Sequence, residues 1–277
     1  MKHFQDNLVN GQSATPRAIH DIGMKAHGPL EDKAYQFNPW IQKNVRRGNT
    51  MVETNEDGRL IMARKGLSKF YDVKIDFIND QRYNNKLGGE FTEAERNMRD
   101  YTLGPLNQFM AEGLGSITIL KTVKANGENV QISYVKDLEC WSISSKNVCL
   151  IARQPVEVDS LYTSDRFHFA KLMAHAWFDI LSALPKKTQA SLKESLYGKT
   201  LIGEYVGNQD YQHLVKYQKL SILFYALVDN SSDEICLPQS FTMAFLTQHC
   251  LDKVLLTNEG TFTDYDSLCD KLGILYK

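Results

Sequence analysis

The sequence is short of cysteine and has no pair of cysteines at metal-binding spacing. Cys140, Cys149, Cys236, Cys250 and Cys269 form no C-x-x-C and no Cys/His cluster, so no zinc site is expected. Their odd number and wide scatter suit reduced thiols in a reducing compartment. The 7 histidines are as dispersed and no HExxH occurs. His168 and His175, on one predicted helix, are read as packing residues. No run approaches the roughly 18 apolar residues of a membrane span, so no membrane partner is expected. The amino-terminal MKHFQDNLVNGQ lacks the apolar centre of a signal peptide. An intracellular protein, cytoplasmic or nuclear, is the expectation, with an organelle left open. An excess of one charge is missing too: 32 Lys and Arg stand against 33 Asp and Glu. That balance excludes a global basic field for nucleic acid but leaves room for a local groove of a few lysines.

What is present is an ordinary globular composition, 43% apolar and 23% charged over 277 residues, enough to bury a core. Residues 1–54 carry Gly-Gln-Ser, Thr-Pro, Gly-Pro and Asn-Pro punctuation with little periodicity and read as an irregular arm. A first strand spans Arg59 to Arg64, and Asn84 to Gly89 reads as a surface loop. Thr92 to Met110 reads as a helix interrupted near Gly104-Pro105. A dense β region follows, with strands at Ser116–Val123, Asn129–Val135, Glu139–Ser144 and Val148–Arg153, joined by short turns as an antiparallel meander. Arg166 to Leu184 is the strongest helix, its stripe being Phe169, Leu172, Met173, Ala176, Trp177, Ile180 and Leu184. Lys187–Leu196 is a second helix, stopped by Gly198. Strands return at Thr200–Val206 and Leu220–Val228, and helices at Pro238–Cys250 and Asp264–Leu272. Antiparallel strands with inserted helices make the fold class α+β, with residues 55–277 as the main domain.

The segment with chemical promise is Lys124-Ala125-Asn126-Gly127, at a predicted strand end. A lysine attacks as a neutral amine when its surroundings favour that form, and a glycine lets backbone pass close to a ligand. Alone, the pattern also describes a hairpin with a solvated lysine. Other elements stand around it in order. Upstream is Ala63-Arg64-Lys65-Gly66-Leu67-Ser68-Lys69-Phe70-Tyr71. Downstream are Ser144-Ser145-Lys146-Asn147, then Gly203-Glu204-Tyr205-Val206, then Tyr217-Gln218 and the apolar strand Ile222–Val228.

In this order, from about Arg59 to Asn230, the chain resembles the covalent nucleotidyltransferases, and among them the phage-type and fungal tRNA-splicing RNA ligases. The resemblance implies an antiparallel-sheet-rich adenylation domain, ATP-grasp-like, with inserted helices. It implies ATP and magnesium as cofactors, RNA ends as partners, and a role in RNA repair or tRNA processing. Lys124 takes the place of the AMP-accepting lysine, with Asn126 and Gly127 beside it. Lys69 and Lys146 become phosphate contacts whose charge favours a neutral Lys124. Glu204 becomes a partner of ribose, lysine or a metal-bound water, and Phe224 or Tyr225 stacks on adenine. This reading requires the strands around Lys124, Ser142, Glu204 and Phe224 to line one cleft, with Lys124 within ~10 Å of Glu204.

The resemblance weakens toward the carboxyl end, where the family carries a Glu-Gly strand and then a Lys-x-Lys strand. Either Glu259-Gly260-Thr261-Phe262 is a degenerate Glu-Gly element with Lys277 opening the Lys-x-Lys, or the helix Asp264–Leu272 precedes both elements and the sequence stops before them. The second reading is preferred. A GTP-using capping enzyme and a non-catalytic nucleotide- or RNA-binding protein of the same fold are the alternatives.

Overall fold

The structure, a computed structural model, describes residues 2–7, 16–24, 29–55, 57–71, 91–111, 115–208 and 215–275. In chain order the strands are β1 (Lys2–Asn7), β2 (Ala18–Gly23), β3 (Asn49–Glu53), β4 (Leu60–Lys65), β5 (Ile117–Thr122), β6 (Glu128–Val135), β7 (Cys140–Ser145), β8 (Cys149–Ala152), β9 (Lys199–Val206), β10 (Ser221–Asp229) and β11 (Leu256–Phe262). They fall into two compact units. One takes residues 1–25, 45–68 and 122–255; the other takes 26–44, 69–121 and 256–277.

The larger unit is built on an antiparallel sheet in the order β10-β9-β6-β7-β8. Alternation along β6 sorts its side chains onto two faces. Val130, Ile132 and Tyr134 point one way, in register with Ile143 and Trp141 on β7 and with Gly203 and Leu201 on β9. The helix His168–Ala183 covers this apolar face with Ala170, Met173, Ala174, Trp177 and Leu181. Trp177 meets Trp141 at 5.1 Å and Phe224 at 6.0 Å between ring centroids, both edge-on, the arrangement aromatic quadrupoles favour. The buried stripe is thus turned from the expected one, and Phe169 is left 38% exposed. Its polar residues His168, Lys171, His175, Asp179 and Ser182 take one narrow strip, so the wide apolar remainder admits two overlapping stripes and packing selects between them.

The opposite face carries Asn129, Gln131 and Ser133, and a second antiparallel sheet, β1-β2-β3-β4, lies in the same unit. Arg64 of β4 is buried to 1% exposure between polar groups of both sheets. Its Nε donates to Thr50 Oγ1 at 2.8 Å, and its Nη1 donates to Gln131 Oε1 at 2.9 Å and the Ser145 carbonyl at 2.7 Å. Its Nη2 lies 3.5 Å from the buried Asp21 carboxylate. A β-bulge makes this possible: Thr50 pairs with Arg64 but Met51 pairs with Met62, leaving Ala63 as the extra residue. Ala63 and Arg64 are then buried in succession, which an unbroken strand with one face inward does not allow. Burial pushes the Asp21 carboxyl up, while Arg64, the Thr50 hydroxyl, the Cys149 N–H and Arg166 pull it back.

The smaller unit holds the helices Pro29–Gln36, Pro39–Asn44, Glu93–Ala111 and Tyr265–Leu275 and the pair β5–β11. The irregular arm expected over 1–54 is therefore corrected to strands and helices. Its Gly-Pro and Asn-Pro steps are helix starts, because Pro29 and Pro39 occupy first helical positions, where a missing N–H costs nothing. Asn38 accepts from the Ile41 N–H at 3.1 Å as the cap. The helix Glu93–Ala111 runs unbroken through Gly104-Pro105, giving up the one bond that proline cannot donate. The Asn84–Gly89 loop and Lys277 lie outside the described residues.

The four-strand meander is also corrected. Strands β6, β7 and β8 follow one another as expected, but β5 pairs with β11 in the smaller unit. No helix among the described residues is long and apolar enough to cross a membrane.

Among the described residues, removing Arg64 leaves the buried Asp21 with Arg166 as its cationic partner. Arg64→Ala should therefore destabilise by roughly 3 kcal/mol or more, read as a lowered midpoint in urea. A change below about 0.5 kcal/mol would show that the cluster does not hold the two sheets together.

Candidate functional site

Lys124 leads into β6, and its setting follows from its neighbours. The Val123 N–H donates to the Leu255 carbonyl at 3.0 Å. Ala125 turns inward to Val206 and Val254, so Lys124, one residue earlier, is exposed. The Asn126 N–H donates to Tyr217 Oη at 3.1 Å. Gly127 is required by close approach: a Cβ there would meet the Tyr205 carbonyl oxygen at 2.3 Å. The expected tight turn from one paired strand into the next is absent, because β5 has another partner. The glycine instead lets this segment lie against β9.

The reason for that approach is Glu204. It sits on β9 opposite Asn129 of β6 and Leu223 of β10, and its carboxylate accepts the Gly127 N–H. Burial, and after it the Glu128 carboxylate, push Glu204 up to about 7, while the Gly127 N–H and the Lys124 ammonium draw it down. Lys124 and Glu204 are therefore electrostatic neighbours, brought together from segments 80 residues apart in sequence.

A polar row continues from Glu204 across the same face. Gln131 Nε2 donates to Asn129 Oδ1 at 3.0 Å, and Asn129 Nδ2 donates to Tyr225 Oη at 3.1 Å. Tyr225 is the extra residue of a bulge, since Phe224 pairs with Gly203 and Ala226 with Ile202. Sequence reasoning did not single out Asn129 or Gln131, and it named Arg64 only as part of the upstream segment, with no role. The signal was there in the alternation of Asn129, Gln131 and Ser133 with Val130, Ile132 and Tyr134, which marks a strand with one polar face.

The expected site residues divide among several places. Asn126, Gly127 and Glu204 gather with Lys124. Lys146 lies in the Ser145–Val148 turn, and the pairing of Ser145 with Val130 puts that turn near the start of β6, the end that Lys124 enters. Lys69 belongs to the smaller unit, where its ammonium pairs with Asp32 at 2.6 Å. Phe224 is corrected: it is fully buried against Trp177 on the helix-covered face and has no surface to offer adenine. Alternation puts its neighbour Tyr225 on the polar face instead.

Two features bear on ligands. Arg47 is close enough to draw down the Tyr225 phenol, and its buried Nε has no hydrogen-bond partner among the described residues, which suits an anion. No cluster of three or more metal-ligating side chains occurs among the described residues. Glu204 offers one carboxylate on the polar face, with Glu128 one register position away on the other face; that suits magnesium, an ion that takes one or two carboxylates and fills its shell with water and phosphate oxygens.

No protein-family model and no curated protein sequence matches the chain. Among solved structures, part of the chain is similar to the RNA ligase of Naegleria gruberi. One lysine-to-alanine mutant with ATP and Mn aligns at a TM-score of 0.37 and 15% identity, over 58% of this chain and 40% of that one. A second such mutant gives 0.37 and 13%, over 56% and 40%. The ligase with PPi gives 0.36 and 14%, over 58% and 41%. The chain thus spans about two fifths of the length of those structures, and an overlap this loose carries no functional weight.

The raised Glu204 pKa has a definite sign. The folded protein holds this proton up to about pH 7, whereas an unfolded glutamate releases it near 4.3. Stability from this group is therefore full at low pH and lost as pH rises through that window. Glu204→Gln should leave the melting temperature unchanged at pH 4 and raise stability at pH 8 by about 1–3 kcal/mol. An equal effect at both values would mean the carboxyl is not perturbed.

Proposed function

We propose that the chain is an ATP-dependent adenylyltransferase of RNA-ligase type, with Lys124 as the nucleophile. The observation that carries this reading is the meeting of Lys124, the Gly127 N–H and the half-buried Glu204 at one end of a sheet. An amine must shed its proton before it attacks, and a carboxylate held near neutrality is suited to receive it. Lys124 Nζ then forms a bond to the α-phosphorus of ATP as the bond to pyrophosphate breaks, leaving AMP on lysine. The phosphate at an RNA 5′ end takes AMP from Lys124, and an RNA 3′-hydroxyl displaces AMP to seal the strand. Arg47 and Lys146 are assigned to the phosphates. Glu204 would supply one ligand to magnesium, with water and phosphate oxygens filling the rest of its shell, and the ion would offset charge on the transferring phosphoryl group.

A binding protein without turnover is the second reading, and Glu259 favours it. This residue of the Glu259-Gly260 element is already engaged by Lys271 at 2.8 Å and Thr257 at 3.1 Å, so it is spoken for within its own unit.

Incubation with α-labelled ATP and magnesium, followed by denaturing electrophoresis, tests both. A covalent label is expected, and Lys124→Arg should reduce it at least about 100-fold, because guanidinium keeps its proton. The melting temperature should hold within about 2 °C, as expected for an exposed side chain. Lys146→Ala should weaken ATP binding several-fold. Labelling that survives Lys124→Arg would remove Lys124 from the mechanism, and ATP binding without any label would favour the second reading.

A further inference from the structure

The polar row beside Glu204 has a direction, and Arg64 sets it. A guanidinium has only donors and does not deprotonate in proteins, so Gln131 must turn its Oε1 toward Arg64 Nη1, 2.9 Å away. Gln131 Nε2 then faces the Arg47 carbonyl at 2.8 Å and Asn129 Oδ1 at 3.0 Å. The carbonyl independently requires a donor there. Asn129 is left with Nδ2 toward Tyr225 Oη at 3.1 Å, and the same nitrogen lies 3.5 Å from the Gly203 carbonyl, again an acceptor. Every amide orientation is thus forced from two sides, which removes the usual ambiguity between oxygen and nitrogen. The last hydroxyl in the row must accept from Asn129, and its own proton is free to be donated elsewhere.

No described residue accepts that proton. The Tyr225 phenol feels the Glu204 carboxylate as a nearby charge, and no hydrogen bond joins them. Burial, with Glu204 behind it, pushes the phenol up, so the proton stays in place across the physiological range. Apolar side chains surround the ring, among them Leu223, Val206 and Ala125. The charged groups Lys124, Glu128 and Glu204 are grouped together by their mutual electrostatics. Apolar walls suit a flat base, and charges suit phosphate, metal and sugar.

We infer that Tyr225 is a specificity-determining residue whose hydroxyl donates to a ring nitrogen of a purine nucleotide, with Arg64, Gln131 and Asn129 as positioning residues that fix the donor's direction. This rests on the adenylyltransferase reading for the nucleotide itself. A base that offers a lone pair at the hydroxyl is accepted. A base that offers an N–H or C–H there leaves the proton without a partner, and a buried unpaired donor is penalised.

The test measures equilibrium binding of ATP and of 1-deaza-, 3-deaza- and 7-deaza-ATP, each lacking one ring nitrogen, to the parent, Tyr225→Phe and Gln131→Glu. In the parent, one of the three analogues should bind about tenfold more weakly than ATP, the scale of one hydrogen bond. Tyr225→Phe should bind ATP about tenfold more weakly and no longer distinguish that analogue. Gln131→Glu keeps a partner for Arg64 but can only accept. Asn129 then turns its Nδ2 toward residue 131 and its Oδ1 toward Tyr225, which draws the phenolic proton away from the ligand. That variant sets a buried carboxylate oxygen against the Arg47 carbonyl and should melt lower, but while folded it should lose the same discrimination; a merely structural role would weaken ATP and all three analogues alike. Equal binding of ATP by the parent and Tyr225→Phe overturns the inference and leaves the adenylyltransferase reading standing. Discrimination retained in Gln131→Glu overturns the positioning part. A parent that binds neither ATP nor any analogue overturns both.

Discussion

A guanidinium enclosed between two sheets dictates what surrounds it. Arg64 brings a charge that cannot be neutralised and donors that must all be met, so each inward-facing neighbour has to accept: Thr50, Gln131, the Ser145 carbonyl, Asp21. Burying such a group is justified by specificity more than by stability. Sliding β4 by one residue would turn Arg64 to the other side of its strand and leave Asp21 unpaired, so the pairing of β4 with β3 has one register. The order imposed by a single side chain reaches Asn129 and Tyr225, next to the carboxylate that meets Lys124.

Much of this was legible in the sequence where one rule governed it. Strands β6, β7 and β8, the helix His168–Ala183 and the meeting of Lys124 with Glu204 follow from alternation, helical spacing and the order of short motifs. The rest was hidden where two rules overlap. The bulges at Ala63 and Tyr225 break the period of two at one residue each, and no residue type announces them. Phe224 and Tyr225 read as alternative ligand-facing aromatics because alternation separates them without saying which face the helix covers. In the amino-terminal region, prolines that read as breakers are helix starters, and the difference lies in the residues after them. Partner choice was hidden too. Strand β5 looks like the neighbour of β6 because it precedes it, and only the tertiary fold gives it to β11.

The candidate site also shows local cost accepted for chemistry. Glu204 is held half-buried beside another carboxylate, a placement that opposes its ionisation, and the Gly127 N–H and Lys124 offset only part of that. Gly127 gives up side-chain packing so that its N–H can reach. Neither choice serves the sheet, where an apolar residue at 204 would pack without penalty. Unfavourable electrostatics next to an exposed lysine is the pattern of a site kept for its reactivity.

The interleaving of the two units has a further consequence, for synthesis on the ribosome. The chain passes between them at residues 25/26, 44/45, 68/69, 121/122 and 255/256, so neither is a continuous stretch, and the larger unit is complete only at residue 255, after most of the smaller one has been made. Strand β6 emerges long before its neighbour β9, and β5 waits for β11 from the last segment. Until those partners arrive, both present open hydrogen-bonding edges. Non-local closure of this kind is slow, so the β5 edge stays open across the more than 130 residues that separate it from β11.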